Sequence, residues 1–164
     1  MNKVFAKSMI LICGAALYFT AITYAQNGLV PYPEGFRKWA HVKSNVVEQG
    51  SKFFKKFGGI NHVYANENAL EGYSTGRFAD GSVIVFDVFD LIEKDGNRTE
   101  GPRRFIQVMH KDSKLFPKTG GWGFEEFTGS SHIDRALTAE MAMQCFSCHA
   151  GQKERGYVFS KFRE

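Results

Sequence analysis

Cys145-Phe146-Ser147-Cys148-His149 is the segment whose residue types and spacing point most directly to chemistry. A C-x-x-C-H run offers two thiols for thioether bonds to haem vinyl groups and an imidazole for the iron. The two-residue gap sets both sulfurs along one edge of a porphyrin, and the adjoining histidine then reaches the metal. The same cysteines could form half of a zinc site or a redox dithiol. No second cysteine pair completes a zinc site, however, and no βαβ pattern of the thioredoxin type surrounds the motif. The spacing therefore predicts one covalent haem c, with Cys145 and Cys148 as attachment points and His149 as the iron ligand.

The other end of the chain agrees with that chemistry. Lys3 and Lys7 precede an apolar stretch over residues 9–21, and Thr23-Tyr24-Ala25 supplies small residues at a cleavage position. This pattern predicts a secretory signal peptide over residues 1–25 and a single mono-haem domain over residues 26–164. Haem c attachment takes place outside the cytoplasm, so a periplasmic location is expected. Removing 25 of the 164 residues leaves 139, a length for one core. The alternative is an uncleaved membrane anchor, since residues 8–25 approach the length of a bilayer span. Cys13 follows Ile12 rather than the small residue of a lipoprotein site, and it is expected to leave with the leader. Haem then uses both remaining cysteines, and no disulfide is expected.

The formal charge of +4 falls to +2 without Lys3 and Lys7, a balance that argues against a nucleic-acid binder. Lys52, Lys55 and Lys56 read as a solvated face or as a steering patch for an acidic redox partner. Gly120-Gly121-Trp122-Gly123 lacks the Lys-Ser/Thr of a phosphate loop and reads as a tight turn entering a strand.

The elements that must position the motif are mostly strands. Pro33 can open a short helix carrying Phe36 and Trp39, and β-branched runs follow over residues 41–47 and 59–65, with residues 52–57 ambiguous. Asn66 can cap a helix reaching Tyr73, which ends before the Asp80-Gly81 turn. Residues 82–92 are too β-branched and aromatic for a helix and long enough for a central strand. Asp95-Gly96-Asn97 then turns the chain, and residues 103–111 and 121–127 give two more strands. Thr138 can cap a last helix that ends near the haem motif. The expected class is α+β: a largely antiparallel sheet with short flanking helices and a C-terminal helix leading into the motif. A four-helix-bundle cytochrome would need four long stretches of helical periodicity, which this chain lacks.

Several blocks in order carry a family resemblance: Tyr32-Pro33-Glu34-Gly35-Phe36, His62-Val63-Tyr64-Ala65-Asn66, Gly76-Arg77-Phe78-Ala79-Asp80-Gly81-Ser82-Val83, Lys111-Asp112-Ser113, Gly121-Trp122-Gly123-Phe124, the haem motif, and Tyr157-Val158-Phe159-Ser160. Together they resemble the cytochrome P-460 family, which includes the gas-binding cytochromes c′-beta. The resemblance implies an α+β subunit, usually homodimeric, with the motif histidine on the iron and an open or water-filled distal side. In the hydroxylamine-oxidising branch it also implies a lysine cross-linked to the porphyrin and a distal carboxylate that moves protons. Alignment on the blocks places those two positions at Phe86 and Gln107. Phenylalanine cannot form the bridge, and glutamine is no general base at ordinary pH. The chain is therefore more similar to the c′-beta branch, with Phe86 and Phe57 as candidate rings over the iron and Gln107 as a candidate contact to the ligand. That likeness implies selective binding of nitric oxide or carbon monoxide, as a carrier, scavenger or sensor. The alternatives are a hydroxylamine or nitric-oxide oxidoreductase and a six-coordinate electron-transfer cytochrome. A second axial ligand for the latter would come from His41, His62, His110, His132, Met109, Met141 or Met143, each of which otherwise reads as a packing or surface residue. Arg103 and Arg104 are either propionate partners or solvated charges.

Overall fold

The five runs of β-branched and aromatic residues pair into one antiparallel sheet in the computed structural model, which describes residues 29–163. The strands are β1 (Ala40–Val47), β2 (Gly59–Ala65), β3 (Val83–Lys94), β4 (Asn97–Lys111) and β5 (Trp122–Thr128), in the spatial order β1-β2-β3-β4-β5. β3 is central, as its length and double-sided apolar pattern require. β4 starts earlier than residue 103, because the Asp95-Gly96 turn, with both residues at positive φ, makes a tight hairpin that pairs Lys94 with Asn97. The expected leader over residues 1–25 and Cys13 lie outside the described residues. Among the described residues no helix is long and apolar enough to cross a membrane.

Among the described residues three α-helices accompany the sheet. The ambiguous stretch forms a single turn, α1 (Phe54–Phe57). α2 (Glu67–Thr75) begins where Asn66 accepts a hydrogen bond from the Ala69 amide and ends at left-handed Gly76. α3 (Ala139–His149) begins where Thr138 accepts from the Met141 amide. The helix expected after Pro33 is only a 3-10 turn over Phe36–Lys38.

Alternation along the strands divides the sheet into two faces. On one, Val85, Ile106, Val108 and Phe127 form a core with Val30, Phe36 and Tyr64, closed by Tyr32, Trp39 and Phe116. On the other, Val63, Ala65, Ile84 and Trp122 pack with Phe78 and Val158, while Phe86, Met109, Phe124 and Tyr157 are only half-buried at the margin of that cluster. α3 lies against β5 on this second face. None of its side chains is buried, although it carries Met141, Met143 and Phe146.

Candidate haem site

The haem motif occupies the end of α3, so Cys145 and Cys148 stand one helical turn apart, with both thiols free. Cys145 is partly covered and Cys148 is exposed. Burial pushes the Cys145 thiol up, and the nearby Glu126 carboxylate adds to that shift. His149 is the last residue of the helix, and its ring packs against those of Phe124, 5.2 Å away, and Phe159, 4.8 Å away.

The imidazole is held in one orientation. Its Nδ1 donates to the Tyr157 carbonyl at 2.7 Å, and because a carbonyl only accepts, Nδ1 carries the proton and Nε2 keeps its lone pair. Burial holds the ring's pKa below the usual histidine value, against the pull of that hydrogen bond, which favours the neutral form a metal requires. The Tyr157 carbonyl is aimed by an uncommon backbone, since Gly156 and Tyr157 both sit at positive φ, 64° and 68°. A tyrosine there costs conformational energy and persists only where its surroundings hold it. The fully buried Trp122 supplies one such hold, its indole donating to the Gly156 carbonyl at 2.9 Å. Arg155 donates to the Ser160 carbonyl, and the Tyr73 hydroxyl meets the Ser160 hydroxyl at 2.6 Å. Burial pushes that tyrosine up to about 12. Gly120 is the turn residue that makes room for the Tyr157 ring, which a Cβ there would strike at 2.5 Å.

The facing wall comes from the sheet. Val63, Phe86, Gln107 and Glu126 are cross-strand partners in one row of the second face, on β2, β3, β4 and β5. The Phe57 ring meets Phe86 edge-on at 5.7 Å and Phe105 at 6.4 Å. The structure thus brings Phe57, Phe86 and Gln107 to one patch, on the face that also carries Phe124 beside His149. Gln107 Nε2 donates to Glu126 at 2.8 Å, and Lys56 Nζ reaches both oxygens of Glu126, at 2.9 and 2.7 Å.

Two expectations change here. Lys56 does not belong with Lys52 and Lys55 to a free basic face, because Glu126 draws it onto the sheet. Arg103 is neither a solvated charge nor on the motif's side. It forms a two-pronged pair with the fully buried Asp87, at 2.7 and 3.0 Å, on the opposite face. Arg104 donates to the Gly58 carbonyl. Met141 and Met143 are exposed, and Met109 is half-buried in the row of Phe124. His41 and His62 lie on either side of the Ser44 hydroxyl, His132 stacks on Tyr32, and His110 is largely buried on the closed face.

Sequence reasoning missed Glu126. Its signal was present in Trp122-Gly123-Phe124-Glu125-Glu126-Phe127, because alternation in a strand must send one of two adjacent acids to each face. In an aromatic strand both are then buried and need partners. Glu125 finds Arg135 at 2.7 Å and Glu126 finds Lys56.

Two free thiols one turn apart, a neutral histidine with a fixed tautomer, and a half-buried aromatic wall on the same face together fit a haem. No curated protein matches the chain. The sequence model of the Cytochrome P460 family matches residues 33–160, and this span includes every residue placed in the site. The chain belongs to the Cytochrome P460 family of haem cytochromes.

Proposed function

We propose that the chain is an exported, homodimeric, mono-haem c-type cytochrome of the c′-beta kind, whose iron binds nitric oxide or carbon monoxide as carrier, scavenger or sensor. The observation that carries the reading is the His149 imidazole, fixed by the Tyr157 carbonyl with Nε2 free. Cys145 and Cys148 would hold the haem through thioether bonds. When bound, the haem would supply an iron able, once reduced, to bind a diatomic gas. Phe86 and Phe57 would wall that side with apolar rings, which favours uncharged diatomics over anions that must shed their hydration. Phe86 also stands where the oxidising branch of the family has its cross-linking lysine, which argues against that chemistry.

Glu126 is the one observation that favours a second reading. A buried carboxylate beside the wall could accept protons during oxidation of a small nitrogen compound such as hydroxylamine.

Optical spectra of the protein, oxidised and dithionite-reduced, with and without carbon monoxide and nitric oxide, separate the readings. A broad high-spin ferrous Soret band that shifts with gas supports the proposal. Sharp low-spin bands indifferent to gas make the protein an electron carrier and overturn it. A strongly red-shifted ferrous Soret, with hydroxylamine-dependent reduction of an acceptor dye, establishes the enzymatic reading instead.

A further inference from the structure

Phe57 reaches the wall from a segment that has little else to hold it. α1 is a four-residue turn with no buried side chain, and its first residue Phe54 and the preceding Phe53 are exposed. Its polar ties to the sheet are the Lys56 pair with Glu126 and the Arg104 bond to the Gly58 carbonyl. Lys56 Nζ also lies over the Phe105 ring at 4.7 Å, the ring that Phe57 touches. Segments with few apolar contacts open at far lower free energy than the sheet beneath them. A groove of about 850 Å³, lined by Phe54, Lys55 and Gly58 together with Val47, Leu91 and Arg104, borders this segment, and neither Lys56 nor Phe57 contributes to its lining. The turn therefore borders open space that its Phe54 and Lys55 line and its Phe57 does not.

We propose that Lys56 is a positioning residue for the aromatic cap: its ion pair with Glu126 latches residues 53–58 so that Phe57 covers the ligand side, and gas enters when the latch opens. This rests on the gas-binding reading for its consequence, while the latch itself is a property of the polypeptide. The Lys56 side chain is 47% exposed and the Glu126 side chain 8%, so dissolved ions reach one end of the pair and the other end stays anchored in the sheet. Carbon monoxide carries no charge to be steered, and a salt dependence of its association therefore reports on the protein rather than on the encounter.

The test compares the haem-loaded protein with Lys56→Met and Lys56→Arg by carbon monoxide association after flash photolysis, at low and high salt. It is paired with amide hydrogen exchange of residues 53–58. The expected result is association about fivefold faster in Lys56→Met, the scale of one partly exposed ion pair. Lys56→Arg should stay near the parent rate. Salt should accelerate the parent and leave Lys56→Met unchanged, and exchange in residues 53–58 should rise in Lys56→Met while β3 stays protected. Equal rates and equal exchange in parent and Lys56→Met overturn the latch. If carbon monoxide does not bind at all, the gas-binding reading fails, and the exchange comparison still decides whether Lys56 holds the segment.

Discussion

Val85 and Phe86 are neighbours in one strand and sit in different environments. Val85 pairs with Val108 on the face beneath the N-terminal segment, and the two are 0% and 1% exposed. Phe86 pairs with Gln107 on the other face, and both are half-buried. The chain closes the first face itself, with Val30, Tyr32, Phe36, Trp39 and Phe116. On the second, large side chains stay half-covered near a helix that buries none of its own residues, and there His149, Cys145, Phe57 and Glu126 converge. Protein interiors are close-packed, so a second face that seals around Trp122 but stays half-covered at its margin beside α3 separates a part built for stability from a part able to hold something.

The largest expected effect lies on the closed face. Phe127→Ala should cost about 3–5 kcal/mol, because the ring is fully buried under Tyr32 and Arg135 and the site has little room to collapse. Urea denaturation checks this, and a loss below about 1 kcal/mol would dissolve the contrast between the faces. Next comes Arg103→Met, which leaves Asp87 buried without its two-pronged partner. About 3 kcal/mol is expected from the same measurement, since Arg37 at 3.5 Å covers only part of the charge.

Phe86→Ala should cost less, about 1–2 kcal/mol, because the ring is only half-buried. Its functional effect should be the greater one: carbon monoxide associates faster in the haem-loaded protein as the wall opens. Unchanged kinetics would mean that Phe86 does not cap the iron.

The smallest effect concerns pH. Burial holds His110 below its ordinary value of 6.5, only partly offset by Asp112 and Asp80. The unfolded chain therefore takes up the proton first as pH falls, so the stability that neutral His110 contributes is present above about 6.5 and is lost below it. His110→Gln should flatten the decline of the denaturation midpoint between about pH 6.5 and 5. An unaltered slope would assign that decline to other groups.

Much of this arrangement is legible along the chain, and the limits have physical causes. All five strands follow from period-two alternation and β-branched runs, and the caps Asn66 and Thr138 follow from side chains that can accept an amide hydrogen bond at a helix start. The 3-10 turn after Pro33 and the single turn of α1 are harder to read, because elements that short are set by what they pack on rather than by propensity. The partners of Lys56 and Arg103 are hidden in the sequence for a similar reason. A cationic side chain looks the same in a sequence whether it faces water or a buried carboxylate, and Glu126 lies 70 residues from Lys56.

The chemistry on offer is written locally in the chain. Two cysteines and a histidine at fixed spacing carry their meaning within five residues, because covalent attachment and metal ligation depend first on local geometry. The alternation that makes a strand is equally local. Folding alone selects which of the 16 phenylalanines line the patch beside the motif, turns the left-handed Tyr157 so that its carbonyl meets His149, and pairs Lys56 beside Phe57 with Glu126. Those relations join residues distant in the chain through strand register and burial, and register exists only once the sheet has formed.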